Sequence, residues 1–515
     1  MKIAIGIGGS GIRCLEVLLY LLASGLGVDD EYIFMTIDPD SANGNLQRLK
    51  QLLGYYQNIY NRGNDLIFKK RITTIDGNIE NINCSPIATS SLASLSDKIG
   101  FSSLDAGKQK MIKIFYSEKE LKIDPTEGGF RAHPSVGTSI FPDIRENPQW
   151  ENLITKIQNN LNNLVVFIFG SIFGGTGASG FPYIGKLLRE QFGEPLKMGG
   201  TILLPYFSFD VSEISGINEE LLYANSTYFT LNTKIALQFY NTLWNSGEES
   251  PYNALYYVGF PSWLKRTAAI RGSSQKNPIH IVELISALSA IDFYNNYNNL
   301  TTRQDKPAFY SGATDNKIHW DDLPFSDKDQ LKKSLLYFTV FGFSYIDFYM
   351  PIIFHPEFEK NQYLYPWYID YIRSESEAFL SEENRTKLYS LGNFFRNYYF
   401  PAIKGILEES SVVELFDINS FSFIEEEEVI YNSDVIPNVV FYNGPREIGK
   451  LIKNKEILYA YDKIWNYMEK KDVRSLPHLA DRFINLLFDA VKKFVDKYYL
   501  NIIYRNLRIM YWRVK

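Results

Sequence analysis

Residues 164–180 read LVVFIFGSIFGGTGASG. Leu164 to Phe169 is an unbroken apolar run, and an apolar run without polar alternation predicts a strand buried on both faces of a parallel sheet. Gly174-Gly175-Thr176-Gly177-Ala178-Ser179-Gly180 follows as a glycine-rich turn. Glycines there let backbone N–H groups approach an anion, because no Cβ stands in the way. Thr176 and Ser179 add hydroxyl donors. Phe181 to Phe192 has helical spacing, which would aim the positive end of a helix at the same place. The stretch reads as a phosphate cradle.

A second glycine turn lies at the N-terminus. Lys2 to Ile7 predicts a strand, Gly6-Ile7-Gly8-Gly9-Ser10-Gly11 the turn, and Ile12 to Leu26 an apolar helix. Glu31 to Ile37 predicts the next strand, ending in Asp38-Pro39-Asp40. This is a βαβ unit with acidic residues closing its second strand. The turn alone matches the dinucleotide fingerprint, with Asp38 on the ribose hydroxyls. A dinucleotide enzyme, however, has no need of a second cradle some 170 residues later, counted along the chain.

Working outward, residues 41–124 give no clear assignment. Pro125 to Gly137 (PTEGGFRAHPSVG) reads as a loop and Trp150 to Leu161 as a helix. Gly199 to Pro205 predicts another buried strand, followed by Tyr206-Phe207-Ser208-Phe209-Asp210. Glu219 to Asn241 predicts a long helix and Ala254 to Phe260 a strand. Strands alternating with helices give an α/β fold with a parallel sheet. Asn277 to Asn296 is apolar on nearly every face, as in a helix buried between two domains. Its Glu283 then requires a buried partner. A helix from Phe325, an acidic run at Glu425–Glu428, a short strand near Val439–Tyr442 and helices from Arg446 to Tyr499 complete the pattern. The expected divisions are 1–276 for nucleotide binding, 277–297 for the linking helix, 298–445 for a second α+β domain and 446–515 for a helical end.

Composition bounds the function. The 515 residues are 45% hydrophobic and 22% charged, as in ordinary globular proteins, with room for a large core. A net charge of −6 argues against a nucleic-acid-binding surface, short of a local basic patch. Two cysteines, Cys14 and Cys84, and five histidines offer neither a disulfide framework nor a metal spacing, which fits a cytoplasmic protein. The N-terminal MKIAIGIGGSG is a strand and turn rather than a leader, since glycines break its apolar run. No run reaches the roughly 18 apolar residues of a membrane span.

The glycine turns, in their order, resemble those of the tubulin/FtsZ superfamily, in particular its divergent bacterial tubulin-like members. Gly8, Gly9, Ser10 and Gly11 correspond to the family's first nucleotide loop. Asp38 and Asp40 fall where acidic groups stand near ribose and a water-bound Mg²⁺. Gly128-Gly129-Phe130-Arg131-Ala132-His133-Pro134-Ser135-Val136-Gly137 resembles the terminal-phosphate loop GAGGNPEIG with about three residues inserted, and Arg131 matches phosphate geometry. Gly174 to Gly180 resembles the signature GGGTGSG, with Phe173 in place of its first glycine and Ala178 within. Pro205 to Asp210 resembles PFxFEG, and Asn277 stands where a central-helix residue reads the purine. The resemblance covers roughly residues 1–325 and implies GTP or GDP with Mg²⁺ as ligands. It also implies head-to-tail self-association, in which an acidic loop after the central helix completes the next subunit's site. Asp321 and Asp322, in His319-Trp320-Asp321-Asp322-Leu323-Pro324, are the candidates, although no N-x-D stands there; a helix cap explains them equally. The departures also fit a non-filamentous GTP-sensing scaffold working with an operon-encoded protein. The basic, aromatic segment Tyr498–Lys515 reads as a packed terminal helix or as a partner-binding one.

Overall fold

The structure is a computed structural model describing residues 1–63, 66–87, 94–126, 128–208, 229–245, 250–260, 266–267, 278–299, 317–374, 377–409, 411–415, 464–465, 468, 476 and 478–513. It divides into two compact units. One comprises Met1–Leu19, Gly27–Leu53 and Arg71–Gly312; the other comprises Tyr20–Leu26, Gly54–Lys70 and Ala313–Lys515. The central helix expected between two domains belongs to the first.

The first unit is α/β. The strands of its main sheet are β1 (Lys2–Ile7), β2 (Glu31–Ile37), β3 (Arg71–Thr74), β4 (Val165–Ser171), β5 (Lys197–Leu203) and β6 (Ala254–Val258). They form one six-stranded sheet in the order β3-β2-β1-β4-β5-β6, parallel throughout. Strands β1 and β4 are buried along their whole length, which is why they read as continuous apolar runs rather than alternating ones.

The main helices of this unit are α1 (Gly8–Ala23), which continues into the second unit, α2 (Gly44–Ile59), which does the same, α3 (Pro134–Ile140), α4 (Pro148–Asn160), α5 (Thr176–Phe192), α6 (Phe229–Asn245) and α7 (Ile281–Asn296). Consecutive residues of a strand face opposite sides of its sheet. A Cβ on Gly199 would stand 2.8 Å from Phe293 of α7, and one on Gly200 would stand 2.7 Å from Phe181 of α5. Those two glycines therefore let two helices press onto opposite faces at one point of β5. Helix α7 is also tied to β1, where the Tyr294 hydroxyl donates to the Ile3 carbonyl at 2.9 Å.

Several helix starts differ from the sequence reading. Helix α1 begins at Gly8 rather than Ile12, and α5 at Thr176 rather than Phe181. Glycine disfavours helix interiors, so the turns read as loops; close packing against the sheet overrides that preference. Part of the loop Pro125–Gly137 is helical, because Pro134 takes the first position of α3, where its missing N–H costs nothing. Residues 219–228 of the long helix lie outside the described residues, as do Glu425–Glu428 and Val439–Tyr442.

The second unit holds α8 (Lys328–Phe343), α9 (Glu382–Phe394), α10 (Phe400–Leu407) and α11 (Leu479–Arg513). Among its described residues the expected β component is reduced to one parallel bridge, Ile318 with Val413. Helix α8 passes through a widened stretch, Ser344–Tyr349, into Met350–Ile353, and α9 passes through another, Phe395–Tyr399, into α10. Pro351 and Pro401 follow these stretches. A proline ring clashes with the carbonyl four residues before it, and a wider turn relieves that clash without ending the helix. The run Lys328–Ile353 is long and apolar enough to cross a membrane, yet 82% of its most apolar window is buried within the protein, as in a core helix.

Lys387 and Asp481 form a buried pair in this unit, with Nζ 2.7 and 2.8 Å from the two carboxylate oxygens. Asn61 donates to the same carboxylate at 2.5 Å. Removing one member strands the other charge away from water. Lys387→Met is expected to cost about 3–5 kcal/mol, and Lys387→Met/Asp481→Leu distinctly less, measured as the urea unfolding free energy of each variant.

Candidate functional site

The strand order changes direction between β1 and β4. A sheet that grows outward both ways from two neighbouring strands leaves a crevice at their carboxyl ends. The first glycine turn leaves β1 and the signature turn leaves β4, so both open into that crevice. The turns interlock. A Cβ on Gly11 would lie 2.7 Å from the Phe169 carbonyl oxygen, and one on Gly177 would lie 2.3 Å from that of Ser171. Only glycine permits this approach.

The result is an open cleft. Gly8, Gly9, Ser10, Asp38, Asp40, Gly128, Gly129, Arg131, Gly174, Gly175, Thr176 and Gly177 all line it. These residues come from four separate turns, and the sequence reading had placed every one of them in a single site. Three others do not line it. Gly11 is held against β4. The Ser179 hydroxyl, expected to face the ligand, donates instead to the Gly175 carbonyl at 2.8 Å, and the Ala178 carbonyl accepts from Tyr240 at 2.9 Å. Asp210 and Asn277 lie outside the described residues. Asp321 and Asp322 lie in the second unit, on a short turn, Trp320–Asp322. There Asp322 accepts from the His319 N–H at 2.8 Å, so it caps the turn, while the Asp321 side chain is 84% exposed.

The acidic turn is fixed by short-range hydrogen bonds. Asp38 accepts from the Asp40 N–H at 2.9 Å and from the Asn43 amide at 3.2 Å. Asn83 grips the Asp38 backbone from both sides, accepting from its N–H at 3.0 Å and donating to its carbonyl at 2.9 Å. Burial pushes the Asp38 carboxyl up to about 7, against the pull of the Asp40 N–H and Asn43. Burial also raises Asp40, which the N–H groups of Ala42 and Gly128 oppose. The Gly128 bond joins the acidic turn to the third loop. Among the described residues no group of three or more His, Cys, Asp or Glu could hold a metal. A cation here would have two carboxylates at most and would depend on ligand oxygens and water.

Behind the cleft Glu283 has the partner it requires. The Arg13 Nε donates to it at 2.6 Å, the Tyr206 hydroxyl at 2.6 Å and the His280 N–H at 2.7 Å. Arg13 also donates to the Tyr206 hydroxyl at 2.8 Å. Burial raises the Glu283 carboxyl, and the Arg13 charge opposes it. The network joins α1, which starts at the first glycine turn, to the start of α7, where His280 caps the helix.

Asn43, Phe130, Ala132, Ser171, Phe173, Phe207 and Phe229 also line the cleft, and the sequence reading gave none of them a ligand-facing role. Asn43 had a legible signal. It precedes α2 and accepts from the Asn45 N–H at 2.9 Å, as a helix-capping asparagine does.

No protein-family model matches the chain, and a search of curated proteins returns no significant match.

Asp38 supplies a pH test. An unfolded aspartate titrates near 3.8 and the native one near 7, so the folded state retains a proton that the unfolded state has released. This contribution to stability is fully present below about pH 4 and is lost as pH rises through about 7, by up to about 4 kcal/mol. Asp38→Asn is expected to remove that slope. Denaturation of both proteins at pH 5 and pH 8 checks it, through the change in their difference.

Proposed function

We propose that this chain is a tubulin/FtsZ-type GTP-binding protein, and that it hydrolyses GTP on assembling head to tail. The observation that carries the reading is the convergence of four turns, two of them glycine-rich strand-to-helix turns, on one cleft. N–H groups at the starts of α1 and α5 would receive phosphate oxygens. Arg131 adds a guanidinium fork, which suits a phosphate. Asp38 and Asp40 fit a hydrated Mg²⁺ bound mainly by the phosphates. That cation would neutralise phosphate charge and relieve the cost of two buried carboxylates. The aromatic residues Phe173, Phe207 and Phe229 give the cleft an apolar side, where a base would lie.

Hydrolysis would be completed by a neighbouring subunit. A carboxylate that serves another molecule's site must be exposed in the free subunit, and Asp321 is. Its role would be to orient the attacking water. A contact of this kind joins unlike surfaces and continues into a filament. The capping role of Asp322 favours a second reading, a GTP-sensing scaffold that binds without turnover. The strand order, shared with dinucleotide-binding sheets, keeps NAD as the control ligand.

The test is binding of a fluorescent GTP analogue, with NAD as competitor, followed by phosphate release and light scattering over a protein concentration series. The proposal expects displacement by GTP and not by NAD. It also expects specific activity that rises with concentration and falls about 10²-fold or more in Asp321→Ala. Tight binding without turnover at any concentration would leave the scaffold, and no GTP binding would sink both.

A further inference from the structure

The third loop of the cleft has an uncommon backbone. Gly128, Gly129, Arg131 and Ala132 have φ of +91°, +68°, +48° and +62°. Two of these are glycines and take that conformation freely. Arg131 and Ala132 carry a Cβ, which left-handed backbone crowds against the following carbonyl oxygen. Two adjacent strained residues persist only where surrounding contacts over-determine them.

The contacts are identifiable. The His133 N–H donates to the Phe130 carbonyl at 2.8 Å, closing a turn around the two residues. The Phe130 ring is buried beside Phe141, with centroids 5.9 Å apart. A Cβ on Gly175 would stand 2.7 Å from that of Phe130, so the loop rests directly on the signature turn. A further contact comes from α6. The Asn232 amide nitrogen lies 3.2 Å from the Ala132 carbonyl oxygen and 3.5 Å from that of Phe173. An amide NH₂ carries two protons. It gives one to the strained loop and one to the residue that opens the signature turn.

We propose that Asn232 is a positioning residue for the phosphate cradle, a clamp that sets the third loop against the signature turn and keeps Arg131 in the cleft. The inference rests on the nucleotide-binding reading for its functional consequence, but its structural content is separate. Asparagine suits the role because it spans two carbonyls with donors alone. Aspartate has the same shape and no donor, and would repel both.

The clamp predicts a specific pattern of loss and rescue. Asn232→Ala should weaken binding of a fluorescent GTP analogue about tenfold, and Asn232→Asp at least as much. Adding Ala132→Gly to Asn232→Ala should bring affinity back to within about threefold of the wild type, because glycine holds a positive φ without a clamp. A merely structural loss in α6 would not respond to a change at residue 132. Equal affinity of the wild type and Asn232→Ala, or a loss that Ala132→Gly leaves untouched, overturns the proposal. If the wild type binds no GTP, the nucleotide reading fails and hydrogen exchange decides the clamp alone. Faster exchange at the His133 N–H in Asn232→Ala then supports it, and unchanged exchange overturns it.

Discussion

The site depends on a contact that only two bare backbones can make. Helix α1 leaves β1 and helix α5 leaves β4, and the two strands are neighbours. Gly11 meets the Phe169 carbonyl and Gly177 meets that of Ser171 at distances no side chain would tolerate. With these contacts in place, two helix starts point into one crevice, and the acidic and third loops have a surface to close upon. A methyl group at either glycine would move a helix start rather than a side chain, because the obstructing atom is backbone.

Two buried carboxylates near this arrangement are handled in opposite ways. Glu283 has a counter-ion in Arg13 as well as the Tyr206 hydroxyl and the His280 N–H. It forms a closed polar cluster that fixes the start of α7 relative to α1, and breaking one member would leave another charged and buried. Asp38 is held by N–H dipoles, which leave its charge uncompensated and its affinity for a proton high. One carboxylate is part of the scaffold. The other lines the cleft, where a perturbed carboxyl is a candidate for function.

Five of the six strands were legible because strands buried on both faces carry their burial in composition: Val165–Phe169 and Tyr32–Ile37 leave little room for another reading, whereas the short edge strand Arg71–Thr74 fell in the unassigned stretch. The cleft was legible for a related reason, since Gly8, Asp38, Gly128 and Gly175 stand at strand ends or in turns, where local sequence controls the backbone. Helix starts were obscured because Gly9, Gly175 and Gly177 argue locally for a loop and are overruled by tertiary contact. Asn232 carried no local signal, as its partners lie 100 and 59 residues away. The second unit resisted in part because two of its helices change their winding ahead of Pro351 and Pro401, which blurs a 3.6-residue period.

The composition of the second unit bears on how the chain is made. Its core draws on Tyr20–Leu26 and Gly54–Lys70, which are synthesised early, and on Ala313–Lys515, which come last. Phe68 shows the dependence. Its ring lies 5.6 Å from that of Phe338 and 5.1 Å from that of Phe394, partners that the ribosome adds some 270 and more residues later. At roughly 5–20 residues per second, Phe68 waits on the order of tens of seconds for its surroundings. The first unit, whose last segment ends at Gly312, has all its residues before then. During synthesis, therefore, every residue of the first unit is made while Phe68 still lacks the rings it packs against.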